Sequence, residues 1–187
     1  LPVQDHLLTM YTLGIITNYL SFEGLPLLLF CWLVMMICRP FATFLHELGH
    51  LFPTYILTKK QIIFRIGEGG LVRKKVFSNL EIQFSFKNSN CGFVSVEDDK
   101  FTKMERLLIL LGGPVATLMM IIFSSFLLLG GFCEGITGEV LLIGFLCSNL
   151  LVFMTSIIPM KLRPSKLFPE GPPSDALEII NLLKSQN

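Results

Sequence analysis

Charge is what this sequence has little of. Only 16% of its 187 residues are Asp, Glu, Lys or Arg, against about 25% in soluble domains. Hydrophobic residues make up 52%, and the mean hydropathy is +0.65. The few charges are segregated from the apolar runs, which excludes an ordinary soluble globule and is the pattern of an integral membrane protein in contact with a lipid bilayer. The net charge of +1 leaves no basic surplus for a nucleic acid, so none is expected as a partner. The five cysteines, at 31, 38, 91, 133 and 147, have no metal-ligand spacing and read as small apolar fillers rather than a disulfide framework. No Lys or Arg precedes Arg39, so the start does not read as a secretory signal with a basic n-region. Histidine is scarcer still, with His6, His46 and His50 the only three.

The apolar residues gather in three tracts within one expected domain, 1–187. A membrane-spanning helix needs about 20 residues, and spans are expected at 25–57, 104–132 and 138–160. The first tract is too long for one straight crossing, so either a kink near Pro40 or a helix protruding into water is expected. Residues 1–24 are moderately apolar and read as an interfacial segment. Arg39, near the middle of the first tract, reads as a side chain snorkelling towards the headgroups.

Between the first two spans, residues 58–103 carry nine Lys and Arg. The runs "QIIFRIG", "LEIQFSF" and "CGFVSV" are rich in Ile, Phe and Val, and "NLEIQFSFK" alternates as a half-buried strand does. "GEGG" and "KNSN" separate them as turns. The fold class is therefore mainly α, a core of three transmembrane helices with a small β-rich loop between the first two. The loop 131–139 has no Lys or Arg, whereas the tail 161–187 has four. Basic residues favour the cytoplasmic side, which puts the N-terminus outside and both the long loop and the tail in the cytoplasm, with a bacterial cytoplasmic membrane as the expected location.

The costly residues sit in "FLHELGHL", where His46, Glu47 and His50 form H-E-x-x-H inside the first tract. Positions i and i+4 share a helix face, so both imidazoles can reach one zinc ion. Glu47 lies about 100° round the helix, near enough to accept a proton from water on that metal. Ionisable residues at membrane depth are rare and usually functional; the plainer alternative is a helix end at the interface with its polar groups in water. Gly49 weakens a helix by about 1 kcal/mol relative to Ala, which points to a close-packed neighbour. A catalytic zinc usually takes a third protein ligand. His6 reads as a surface residue, which leaves Glu68, Glu81, Glu97, Asp98, Asp99, Glu105, Glu170, Asp175 and Glu178 as candidates by topology. Spacing does not choose among them. Asp175 also reads as a capping box with Glu178 ahead of "ALEIINLLK".

The motif in a first span, "GGPVATLMM" opening a second, "SNLLVFMTSIIP" ending a third and then "PPSDALEII" together resemble the site-2 protease family of intramembrane zinc metalloproteases, over about residues 25–184. The resemblance implies Zn2+ as cofactor, His46, His50 and Asp175 as its ligands, and Glu47 as the catalytic base. It implies membrane-protein substrates with a transmembrane segment, unwound and cut near the cytoplasmic face. "CGFV" is similar to the family's strand edge after the first span, which makes Gly92 and Phe93 candidate substrate-binding residues. Asn149, a span amide, is a third candidate, with helix glue as its plainer role. Thr117 and Ser156 stand where the family has Asn, and Ala176 where it has Gly after the ligand Asp. These departures keep open an alternative, a non-catalytic relative that binds zinc or a partner. Metal transport would need polar ligands through several spans, and the second and third have almost none.

The charge pattern makes a direct prediction. Single cysteines at Lys75 and Lys166 should react with a membrane-impermeant thiol reagent only from the cytoplasmic side, and one at Glu134 only from outside. Labelling of position 75 from outside would overturn the orientation.

Overall fold

The computed structural model describes residues 25–69, 72–96, 100–132, 135–164 and 168–185. The expected interfacial segment 1–24, with His6, lies outside the described residues. The fold is mainly helical, with three long apolar helices and a four-stranded sheet between the first and second.

Helix α1 (Leu25–Leu57) has 33 residues and continues through Pro40 and Pro53. At about 1.5 Å per residue it is about 50 Å long, well beyond the roughly 30 Å of hydrocarbon in a bilayer. Helix α2 (Lys103–Leu129) opens with Thr102 and Glu105 exchanging hydrogen bonds as a capping box. Helix α3 (Ile136–Ile157) stops before Pro159, where a proline forces the preceding residue out of the helical region. All three are long and apolar enough to cross a membrane.

The helices meet where side chains are missing. A Cβ on Gly112 of α2 would collide with the Gly49 carbonyl of α1, and a Cβ on Gly49 would collide with the Gly112 carbonyl and, at 2.7 Å, with the Ala116 methyl. The backbones of α1 and α2 are therefore in contact, as the glycine in the motif foretold. Pro53 lacks the N–H that would take the Gly49 carbonyl as its helical partner, so that oxygen is free to face Gly112. Gly144 of α3 likewise lies against Val34, and Ser148 donates to the Met35 carbonyl at 2.9 Å.

Strands β1 (Ile62–Ile66), β2 (Val72–Phe77), β3 (Leu80–Phe84) and β4 (Gly92–Val96) form one sheet in the order β2-β3-β1-β4. β1 runs parallel to β3 and antiparallel to β4. Ile62, Phe64, Ile66 and Leu80 build its core against Phe44, Leu48 and Leu51 of α1, with Phe44 edge-on to Phe64 at 5.6 Å. The pattern "VRKKVF" of β2 is exposed along its whole length and carries no alternation that would announce a strand. β4 is an edge strand, paired on one side only.

After α3 the chain doubles back. Leu162 N–H donates to the Pro172 carbonyl at 2.7 Å, and Ser174 N–H donates to the Met160 carbonyl at 2.9 Å. Gly171 makes the turn with φ +82°, a conformation open to glycine. Helix α4 (Asp175–Lys184) follows, with Ser174 as its N-cap. This corrects the capping-box reading by one residue: the cap is Ser174, and Asp175 is the first helical residue, free to point elsewhere.

The α1–α2 contact is testable by stability. Ala is favoured over Gly in a helix by about 1 kcal/mol, but overlap with backbone should cost about 1–3 kcal/mol or more. Gly112→Ala should therefore lower the unfolding temperature in detergent. An unchanged or raised value would mean the helices are not in backbone contact.

Candidate metal centre

Helix α1 has two working faces. Phe44, Leu48 and Leu51 face the sheet, which turns His46 and His50 the other way and leaves Glu47 between the two faces, against Gly92 of β4. His46, Glu47 and His50 are buried, at 7%, 7% and 8% exposure. Burial at this level demands partners, and the histidines have them. His46 Nδ1 lies 3.2 Å from Thr117 Oγ1. The Thr117 hydroxyl donates to the Gly113 carbonyl at 2.7 Å, so its oxygen accepts from His46 Nδ1–H. His50 Nδ1–H donates to the Ile109 carbonyl at 2.7 Å. With each Nδ1 carrying the proton, each Nε2 presents its lone pair.

Those lone pairs converge. The two Nε2 atoms are 3.2 Å apart. Asp175 Oδ2 is 3.2 Å from His46 Nε2, and Asp175 Oδ1 is 3.4 Å from His50 Nε2. Donor atoms bonded to one tetrahedral zinc at about 2.0–2.2 Å are about 3.4 Å apart. Two imidazole nitrogens and a carboxylate at such spacing repel one another unless a positive charge lies among them. A metal ion supplies it; otherwise a proton on an imidazole does, and metal binding displaces that proton. His46, His50 and Asp175 are thus a buried group that could hold a metal ion.

Asp175 reaches the histidines because the doubled-back tail delivers α4 to the end of α3. Ser174, 1% exposed, donates to the Ile158 carbonyl at 2.7 Å and accepts from Leu177 N–H. Ser156 of α3 then donates to Asp175 Oδ2 at 2.7 Å. Burial pushes the Asp175 carboxyl up, but where a proton rather than a metal ion lies among the three groups, the hydrogen bonds and charge of protonated His46 and His50 outweigh it and hold it well below the usual carboxylate range. It is ionised at neutral pH, as a ligand must be.

Among the described residues, the other candidate carboxylates are engaged elsewhere or stand apart. Glu68 accepts from Asn88 at 3.1 Å, Glu81 from Gln83 at 2.7 Å, and Glu105 caps α2. Glu170 pairs with Lys161 at 3.0 Å in solvent. Glu178 shares the cavity but not the histidine cluster. Glu97, Asp98 and Asp99 lie outside the described residues.

The group lines a cavity of about 1020 Å³ that also contains Glu47, Gly92 and Phe93. Gly92 sits directly on Glu47: a Cβ there would come within 2.5 Å of Glu47 Cγ and 3.0 Å of its carboxyl carbon. Phe93 packs edge-on to Phe168 at 5.9 Å and under the Arg65 guanidinium at 5.3 Å. Asn149 is not brought to this cavity. It is fully buried in α3, its amide donating to the Phe145 carbonyl of its own helix. Arg39, by contrast, does line the cavity.

Sequence reasoning missed the residues that hold the ligands. Thr117 and Ser156 looked like departures from a family pattern; each donates to or accepts from a ligand side chain. Gly113 was read only as part of the family-like "GGPVATLMM" segment and given no role at the site. A Cβ there would lie 2.6 Å from His50 Cε1 and 2.7 Å from His46 Cε1, so only glycine lets α2 lie against the two rings. The signal was "GGP" itself, two glycines in a helix interior where they are otherwise unfavourable.

No family model matches this chain, and comparison with curated proteins finds none that matches it. What this geometry supports by itself is a buried group of His46, His50 and Asp175 that could hold a metal ion.

The hydrogen bonds to the ligands predict a graded effect. Thr117→Val and Ser156→Ala should each weaken zinc affinity by about 10–100-fold, whereas His46→Ala and His50→Ala should abolish stoichiometric binding and Glu47→Ala should retain it. Metal analysis of the purified variants checks this. Stoichiometric metal surviving in both histidine variants would remove the centre.

Proposed function

We propose that this chain is an intramembrane zinc metalloendopeptidase, cutting peptide bonds of membrane-embedded proteins near the cytoplasmic face. The observation that carries the reading is the convergence of His46 Nε2, His50 Nε2 and the Asp175 carboxylate within 3.2–3.4 Å, with the Glu47 carboxyl group next along the same helix and in the same cavity. Three protein ligands with a further position left for water make a catalytic site rather than a structural one. A purely structural centre has no use for a fourth ionisable side chain buried at 7% exposure beside it.

A zinc ion held by His46, His50 and Asp175 would supply Lewis acidity and make a water acidic enough to lose its proton near neutral pH. The chain does the rest. Glu47 accepts the water proton as the oxygen attacks the peptide carbonyl, and it returns a proton to the departing amine. Thr117 and the Ile109 carbonyl keep both imidazoles in the Nδ1–H form, and Ser156 fixes the Asp175 carboxylate. A helical substrate cannot react as it stands, because its carbonyls are hydrogen-bonded and shielded. The free edge of β4, all of which lines the cavity, is suited to take an unwound segment as an added strand beside Glu47. The basic loop and tail support a cytoplasmic placement of that face.

The test is co-expression with single-span membrane proteins. The native chain should release a cytoplasmic fragment from a substrate. Glu47→Gln should slow this by about 100-fold or more while retaining zinc, and Asp175→Asn should abolish it with weakened zinc and unchanged membrane insertion. Equal cleavage by native and Glu47→Gln chains would contradict the proposal.

A further inference from the structure

One cation inside α1 has no role in the centre described above. Arg39 lies seven residues before His46, about 10 Å along the helix, and with Thr43, His46, Glu47 and His50 it makes one cavity-lining face. An arginine midway along an apolar helix is costly, and such residues ordinarily pair. Among the described residues no carboxylate lies within ion-pair distance of it, and none of its hydrogen-bonding groups is engaged by another side chain. It shares the cavity lining with Cys91 and Gly92, at the beginning of β4. Burial pushes the Cys91 thiol up, Glu68 and Glu47 add to that, and Arg39 opposes them. Cys91, immediately before β4, is thus within electrostatic reach of both Glu47 and Arg39.

The edge of β4 therefore joins two points. Gly92 touches Glu47, and Cys91 leads on towards Arg39. An extended peptide laid along β4 across the metal centre continues, at the Cys91 end, to the guanidinium. That group presents a planar fork that fits a carboxylate with two parallel hydrogen bonds. It is not saturated from within the protein, and the low-dielectric walls of the cavity strengthen what it binds.

We infer that Arg39 is a carboxylate subsite at the Cys91 end of the β4 groove, selecting peptides that carry an acidic group a few residues from the bond held at the metal centre. This rests on the proteolytic reading of the same cavity. The carboxylate has two chemical sources, an Asp or Glu side chain of the substrate or the C-terminal carboxylate of a peptide.

The experiment uses the zinc-loaded full chain in detergent, carrying Glu47→Gln to prevent turnover, and apolar octapeptides labelled with an uncharged nitrobenzoxadiazole dye. One peptide is neutral with an amidated C-terminus, one has an internal Glu and an amidated C-terminus, and one is neutral with a free C-terminus. Fluorescence anisotropy should give at least one carboxylate peptide binding about tenfold tighter than the neutral one, and which one identifies the source. Adding Arg39→Gln should erase the difference while leaving the neutral peptide's affinity within about twofold. Arg39→Lys, which keeps the charge but loses the fork, should retain part of it. Zinc content and helical circular dichroism confirm that each variant is folded. Equal binding of all three peptides, or discrimination that survives Arg39→Gln, overturns the Arg39 assignment alone. Failure of even the neutral peptide to bind overturns both this assignment and the peptide-binding role of the cavity.

Discussion

Backbone contact between α1 and α2 is the constraint on which the rest depends. Gly49 and Gly112 meet with no side chain between them, and Gly113 lies flat against the two imidazoles. Only at that separation can the Ile109 carbonyl reach His50 and the Thr117 hydroxyl reach His46. Those two hydrogen bonds choose the tautomer, and the tautomer turns both Nε2 atoms towards Asp175. Insert a methyl group at any of the three glycines and the helices must part, the imidazoles lose their orientation, and the donor atoms no longer share a centre. In a bilayer there is little hydrophobic force to press helices together, so close packing of small residues has to serve instead.

The second requirement is a long-range one. Asp175 comes from a tail that must turn back on itself after α3. Its delivery rests on polar bonds at the helix end: Ser174 to Ile158, Ser156 to Asp175, and the short antiparallel pairing of Lys161 with Pro173. The positive end of α4 also favours a carboxylate at its first residue. Helix packing, tail geometry and metal site are thus one arrangement. The hydroxyls at 117 and 156 belong to it as well, since each is engaged with a side chain of the cluster, Thr117 with His46 and Ser156 with Asp175.

Much of this was legible in the residues. The three apolar tracts folded as helices, and the helical spacing of His46 and His50 put both rings on one face. Gly49 announced a close neighbour. Strand β1, β3 and β4 were visible from their Ile, Phe and Val content. Strand β2 was not, because "VRKKVF" is an exposed strand held by pairing with β3 rather than by burial of a face. The identity of the third ligand was closed to spacing arguments, since 125 residues separate Asp175 from His50 and nine carboxylates competed; only the resemblance pointed to it. The support from Thr117 and Ser156 was equally closed. A hydroxyl on a helix reads as neutral until the distance to the neighbouring helix is known. The cap of α4 was misplaced by one residue because Ser174 and Asp175 are both good cap formers.

The central claim is that His46, His50 and Asp175 bind one zinc ion together. X-ray absorption of the purified zinc-loaded chain addresses it without reference to substrate. The account predicts only nitrogen and oxygen neighbours at about 2.0–2.1 Å, with the outer-shell pattern of two imidazoles. A sulfur neighbour at about 2.3 Å, which would bring a cysteine such as Cys91 into the coordination, or a spectrum with no imidazole contribution, would contradict it.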